Sequence, residues 1–520
     1  MKKITFLLIC MIFSFSYAQI EPLTTQDFVT LEEREPGHDS QTLNINAQSI
    51  QIHNPNQYRR LYFLHGLGGN ASSWQAASDA CWDVTLNIPG FPARRVLVSR
   101  PEYTMSTSTT LMSAAYDVRQ QIQNQAYIDQ NLYQVSPEMA FIIAHSQGGL
   151  VTRALAHLDL ITPPFNNDIG KGYGGFVTIS SPLQGAQILN NRTQIEQFAK
   201  EGCTKLARGP YFEEDLDFWT NFFNIGVDPS FICNFFVDNA LSIFFSDYYE
   251  NITNDYFVGA PAIDLFNQDT NDLAYYNMPK LAFTGVEPRE NLFWRTFNWV
   301  VNDVNNAGFF GANDDWNFYN TVGKPLYSKY SNRVAHYNNQ ISNYQTMYAC
   351  LFPFLTPGGH MYFNASIKRL VDKKHAWQEG VDWLTGVNKK WEAIIGARVT
   401  TIETDTIYVC KNCVASTWVI SYNIQDCYNK RCSTILPGEV SNLVTIYKEN
   451  DGIVLRESAE NLPGATHMPV IGNQILLDNN AGSSHMQVRN DEGLKQFLFS
   501  LFEGEMGMFF ETAPIEGNSN

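Results

Sequence analysis

AFIIAHSQGGLVTRAL, residues Ala140 to Leu155, opens with a short apolar run, Phe141-Ile142-Ile143, of the kind that lies buried in a parallel sheet. Gly148 and Gly149 permit a sharp turn, and Leu150 to Leu155 reads as the start of a packed helix. Ser146 stands at the apex of this strand–turn–helix. The pentapeptide Ala144-His145-Ser146-Gln147-Gly148 fits the G-x-S-x-G pattern of an elbow that presents a serine. Small residues flank such a serine because strand and helix approach closely there, and alanine in the first position keeps that side small. Five residues of an ordinary Gly-rich turn would read alike, so the rest of the chain has to separate the two. A neutral serine is a weak nucleophile. It needs a base, an orienting carboxylate and donors for a developing oxyanion.

Composition narrows the field first. With 44% hydrophobic and 17% charged residues among 520, the chain can bury a large core and is not a disordered polymer. The net charge of −17 and a pI near 5.0 exclude a nucleic-acid partner, which requires a basic surface, and argue against simple electrostatic docking to anionic lipid. Lys2 and Lys3 precede an apolar run from Ile4 to Phe13 that ends near Ala18, as in a signal peptide cleaved after that alanine. The run is short for a membrane span, and no other spanning stretch is legible. The expected location is therefore secreted or periplasmic. Eight cysteines follow Cys10, an even number that suggests disulfides in an exported chain. Cys410, Cys413, Cys427 and Cys432 also resemble a zinc ribbon, but outside the cytosol two bridges stapling a hairpin are the expectation, with their pairing open.

In chain order, residues 1–18 are the signal segment and 19–59 a polar arm. From Arg60 the pattern sharpens: Leu61 to Leu64 reads as a strand ending in His65-Gly66-Leu67-Gly68-Gly69. Arg95 to Val98 reads as a strand, Thr110 to Tyr127 as an amphipathic helix, and Phe176 to Ile179 as a strand ending in SSPLQGA, Ser180 to Ala186. Between Tyr211 and Tyr249, 13 of 39 residues are aromatic, against 13% overall, a sharp change of composition. Lys280 to Val286 returns to the sheet. An insertion over 287–440 then holds two tryptophan-bearing helical stretches, Leu292 to Val304 and Ala376 to Ile395, and ends in the cysteine hairpin. His336, His360 and His375 are too scattered for a metal site. Leu443 to Tyr447 reads as a strand before Asn450-Asp451-Gly452-Ile453-Val454, and Gly482-Ser483-Ser484-His485-Met486-Gln487 precedes a helix with Leu494, Phe497, Leu498, Leu501 and Phe502 on one face.

HGLGG, AHSQGG, SSPLQGA, NDGIV and SSHMQ, in that order, resemble the lipase branch of the α/β-hydrolases over about 60–187 and 440–503. Ala144 stands where the family has its first glycine, and Ser181 where it has a threonine. The resemblance implies an α/β-hydrolase fold, a mostly parallel sheet with helices on both faces, carrying a large aromatic-rich cap. It divides the chain into core at 60–187, lid at 188–262, a return at 263–286, the insertion, core again at 441–505 and a tail at 506–520. It further implies Ser146 as nucleophile, His485 as base and Asp451 as the acid, with His467 and Asp478 as weaker competitors. Leu67 and Gln147 amides would form the oxyanion hole, and Phe222 and Phe223 of the lid would meet substrate. The expected reaction is hydrolysis of a carboxylic ester, lipid-like in character, through an acyl-enzyme and without cofactor or metal. An amidase or deacylase acting on a lipidated headgroup, and a non-catalytic binding protein on the same scaffold, are the alternatives. The expected partners are an ester or lipid-like small molecule and a transient lipid interface; no partner protein is evident.

Overall fold

The computed structural model describes residues 58–81, 85–86, 94–103, 106–133, 135, 140–164, 169–211, 250–272, 275, 278–297, 318–412, 418–429, 432–463, 484–490, 494 and 498. The signal segment, the arm through residue 57, Phe222, Phe223, Cys413, His467 and Asp478 lie outside them.

Six strands form the central sheet: β1 (Tyr58–Leu64), β2 (Thr85–Leu86), β3 (Arg94–Ser99), β4 (Ala140–His145), β5 (Gly175–Ile179) and β6 (Lys280–Phe283). Their spatial order is β2-β3-β1-β4-β5-β6. All neighbours pair in parallel except the edge strand β2, which runs antiparallel to β3. Side chains alternate across these strands, and both sets are apolar. Leu61, Phe63, Phe141, Ile143, Val177, Ile179 and Phe283 pack on one face with Trp74, Ala77, Val488, Leu494 and Leu498. Tyr62, Leu64, Ile142, Ala144 and Phe176 pack on the other. That face is covered by α1 (Leu111–Leu132) and α2 (Gln147–Ile161), through Leu111, Val118, Ile122, Leu150, Val151 and Leu155. A sheet buried on both faces requires such continuous apolar strands. The chain thus has the α/β architecture expected of its motifs: a mostly parallel sheet between two helical layers.

Helix α1 starts where the reading placed it, capped by Thr110 and Ser113, and runs to Leu132. Past β5, α3 (Arg192–Tyr211) leads toward the aromatic segment. Two departures concern the insertion. The first tryptophan stretch forms only a short helix over Leu292–Thr296 among the described residues. The second belongs to a hairpin of two long helices, α4 (Lys324–Leu351) and α5 (Pro357–Ile394). Only the end of α5 carries a dense tryptophan pattern, so the rest of the hairpin, rich in Asn, Gln, Ser and Tyr, lacks the apolar period that announces a helix. Trp377, Trp383 and Trp391 sink into the main core beside Phe198 and Phe293.

After α5, β7 (Arg398–Asn412), β8 (Trp418–Ser421) and β9 (Cys432–Tyr447) form a second, antiparallel sheet. Leu443 to Tyr447, read as a lone strand before Asp451, is the end of β9 and pairs with β7, not with the central sheet. The expected double bridge in this region is not what the fold contains. Cys410 carries a buried free thiol, because its cross-strand neighbours are Val419 and Ile435. Cys427 Sγ lies 3.9 Å from the Tyr408 carbonyl oxygen. Cys203, on α3, is disulfide-bonded.

Candidate active site

Ser146 occupies the turn between β4 and α2 with φ 54° and ψ −127°, a conformation that costs a non-glycine residue on the order of 1–3 kcal/mol. Two features over-determine it. The Ser146 amide donates to the Ile179 carbonyl oxygen at 2.9 Å, extending the β4–β5 pairing into the turn. The surrounding backbone also closes in: a Cβ on Gly148 would lie 2.4 Å from the His65 carbonyl oxygen, and one on Gly66 would lie 2.8 Å from Ser146 Cβ. Both positions therefore demand glycine, and the His65-Gly66 turn is pressed directly against the serine.

The three residues expected to cooperate meet here. His485 Nε2 lies 2.8 Å from Ser146 Oγ, and His485 Nδ1 lies 2.8 Å from Asp451 Oδ2. Asp451 is fully buried, with Oδ1 accepting from the Ile453 and Val454 amides at 3.0 and 2.8 Å. Those bonds leave Oδ2 for the imidazole. The His485 amide donates to the Asp451 carbonyl oxygen at 2.9 Å, so backbone and side chain of the two residues are tied together. With Nδ1–H held by the carboxylate, Nε2 is free to accept from the serine hydroxyl. The serine itself is only partly buried, whereas its two partners are closed off.

Leu67 and Gln147 flank Ser146 as expected. Gln147 is the first residue of α2, where no helical carbonyl precedes its N–H. Leu67 follows Gly66 in a turn closed by the Gly69 amide donating to the Gly66 carbonyl oxygen at 3.0 Å. Among the described residues, the Leu67 N–H makes no hydrogen bond.

Several supporting residues escaped the sequence reading. The Tyr103 hydroxyl lies 2.8 Å from the His65 carbonyl oxygen and 3.3 Å from Gln147 Oε1, linking the two halves of the proposed oxyanion site. Burial pushes its phenol well above the usual range, so it remains a donor. His65 stacks on Tyr103, its ring centroids 4.4 Å apart, and its Nδ1–H donates to the Gly66 carbonyl oxygen at 2.9 Å. Burial lowers His65 to about 4, which keeps it neutral beside the site. His145, lowered well below its usual range by burial, donates from Nε2 to the His485 carbonyl oxygen at 2.7 Å and braces the base from behind. His65 and His145 sit inside motifs, so their types were visible but their partners were not. Tyr103 belongs to no motif.

The insertion also reaches the site. Trp391 Nε1, from α5, donates to the Gly452 carbonyl oxygen at 2.8 Å. The Glu287 amide donates to the Asn450 carbonyl oxygen at 2.7 Å, and the Glu287 carboxylate pairs with buried Arg295 at 2.6 Å. The loop bearing Asp451 is therefore clamped by residues from the segment that carries no motif. Ser458, just past that loop, bonds the Gly185 carbonyl oxygen at 2.7 Å, and Arg153 of α2 donates to the Leu183 carbonyl oxygen at 2.9 Å. SSPLQGA thus serves as a junction between elbow helix and acid loop. Phe222 and Phe223 are outside the described residues and are not placed.

No family model matches the chain, and no curated protein is similar to it. Among solved structures, phospholipase PlaB from Legionella pneumophila is similar over 46% of this chain and 41% of that one, at 13% identity and a TM-score of 0.26. PlaB in complex with thio-NAD is similar over 50% and 44%, at 11% identity and a TM-score of 0.26. The chain spans less than half the length of these structures.

Proposed function

We propose that this chain is an exported serine hydrolase of the α/β-hydrolase lipase type that cleaves carboxylic esters of lipid-like substrates. The observation that carries the reading is the continuous relay Ser146–His485–Asp451, with both links at 2.8 Å. A serine alone in a glycine-rich turn has no need of a buried carboxylate held by two amides on the far side of an imidazole.

In this reading His485 Nε2 takes the Ser146 proton as Oγ attacks the ester carbonyl carbon. Negative charge moves to the carbonyl oxygen, beside the Leu67 and Gln147 N–H groups. The imidazolium, held by Asp451, then protonates the departing alcohol and leaves an acyl-serine. Water, deprotonated by the same imidazole, attacks the acyl carbon and releases the acid, returning the proton to Ser146. The strained Ser146 backbone keeps Oγ presented toward the imidazole throughout.

The test is a fluorophosphonate probe together with esters of graded chain length. Wild-type protein should be labelled at one serine and should turn over esters. Ser146→Ala should lose labelling and reduce turnover by roughly three to six orders of magnitude. A Ser146→Ala protein that keeps most of its ester turnover would overturn the assignment.

A further inference from the structure

The α4–α5 hairpin reverses the charge character of the rest of the chain. Between Lys324 and Lys374 there are seven basic residues, Lys324, Lys329, Arg333, Lys368, Arg369, Lys373 and Lys374, and one acidic residue, Asp372, in a protein of net charge −17. The basic residues are not spread evenly. From Val334 to Ile367, across the whole distal end, there is no Asp, Glu, Lys or Arg. An uncharged tip with a basic band behind it is the result.

The tip is apolar and exposed. Phe354 is 81% exposed, Met361 73%, Tyr362 63% and Phe352 55%, with Met347 and Leu351 beside them. In the core-facing half of α5 the large apolar residues are buried; here Phe363 is the buried one among described residues 338–375. The exposure does not come from a loose end. Tyr348, Phe352, His360 and Phe363 form a ring cluster, with centroids 4.7 to 5.7 Å apart between Phe352–His360, Tyr348–Phe352, Tyr348–Phe363 and Tyr348–His360. Tyr348 bonds His360 Nδ1 at 3.1 Å, and Thr356 caps α5 with Pro357 in its first turn. The turn is stapled from within while its outer side chains face away.

We propose that this distal end docks the chain on an anionic lipid surface. Phe352, Phe354, Met361 and Tyr362 enter the headgroup layer, and the basic band behind them meets lipid phosphates. Geometry and charge agree on that occupant. Lys368 lies ~17 Å back from the start of α5 at 1.5 Å per residue, and side chains of a helix lean toward its N-terminus, which here is the tip. Lys368 and its neighbours on α5 therefore point their long stems toward the surface the aromatics enter, as snorkelling residues do. A tip buried ~5–10 Å into the interface brings Lys368 and Arg369 within reach of headgroups, whereas Lys373 and Lys374 stand about 24–26 Å back. No helix among the described residues is long and apolar enough to cross a membrane. The proposal concerns attachment and stands apart from the chemistry at Ser146, so the two fail by different measurements.

Full-length protein carrying Ser146→Ala, so that vesicle lipid is not consumed, is sedimented with phosphatidylcholine vesicles with and without phosphatidylglycerol. Binding should require phosphatidylglycerol and weaken in high salt. Phe354→Ser/Met361→Ser and Lys368→Glu should each weaken binding by on the order of tenfold. Both variants should keep the parent thermal midpoint, because Phe354, Met361 and Lys368 are exposed. Equal binding to the two vesicle types, or binding untouched by either variant, overturns the proposal. So does a variant that dissociates an oligomer in sedimentation velocity and leaves vesicle binding unchanged, since the tip would then serve a second copy of the chain.

Discussion

The two ends of α5 obey opposite rules. At its C-terminal end Trp377, Trp383 and Trp391 are buried, and the Trp391 indole N–H is spent on the Gly452 carbonyl of the loop bearing Asp451. At its N-terminal end Met361 and Tyr362 are exposed, about 24 Å from Trp377 and about 45 Å from Trp391 at 1.5 Å per residue. One helix therefore holds the loop beside Ser146 and His485 at one end and presents an exposed apolar surface at the other. What separates them is the company they keep: the base meets α3, whereas among the described residues the side chains of the tip are mostly exposed. The same residue types are core in one place and surface in the other.

Substitutions at the two ends should therefore separate by orders of magnitude. Asp451→Asn, in the loop that the base of α5 clamps, leaves shape intact but lets His485 adopt the wrong tautomer. Ester kcat should fall about 10⁴-fold with an unchanged circular dichroism spectrum. A fall of less than tenfold would mean the carboxylate is not the orienting group.

Acid should also act on the buried side alone. His65 stays neutral in the folded chain down to about 4, whereas the unfolded chain takes up its proton from 6.5. Unfolded protein binds more protons in that window, so stability falls as pH drops from 6.5 toward 4 and is unaffected above it. The loss reaches roughly 3 kcal/mol at 1.36 kcal/mol per pH unit. Urea midpoints measured across the window should show the decline, and His65→Asn should make it shallower, the remainder belonging to His145, which burial also lowers. An unchanged slope in that variant would clear His65.

Trp391→Phe keeps the bulk of the base and deletes its N–H. Leaving the Gly452 carbonyl without its donor should cost about 1–3 kcal/mol of stability and loosen the Asp451 loop. Thermal melts and ester kinetics together check it, with kcat expected about tenfold down. If stability falls and kcat does not, the clamp is structural only. Phe354→Ser at the tip should change stability by no more than about 0.5 kcal/mol, because that ring packs on nothing. A loss above about 1 kcal/mol would erase the contrast between the two ends.

Most of the central fold was legible before any coordinates. Phe141-Ile142-Ile143, Phe176 to Ile179 and Leu61 to Leu64 are continuous apolar runs, and a strand buried on both faces leaves no other pattern. Ser146, Asp451 and His485 were legible as residue types inside short motifs, because turn and loop chemistry is local and order along the chain is preserved. Of the α4–α5 hairpin only the stretch from Ala376 was legible, since Val334 to Ile367 has neither charge nor apolar period to mark it. Nor was the strand partner of Leu443 to Tyr447, because β-pairing with β7 is settled by a register across residues far apart in sequence.

The sequence by itself determined a doubly covered parallel sheet, the elbow at Ser146 and the order of its candidate partners, because burial period and turn chemistry act over a few residues. Only the tertiary structure decided that Tyr103 joins the two flanks of the elbow, that Trp391 holds the acid loop, and that Cys410 remains a thiol beside Val419 and Ile435. It alone decided, too, that Phe352 and Phe354 face outward while Trp377 and Trp383 do not. Each of those is a contact between residues 9 to 61 positions apart, or the want of one. A side chain's neighbours, which set its burial and its free partners, are a property of the packed chain and not of the residue.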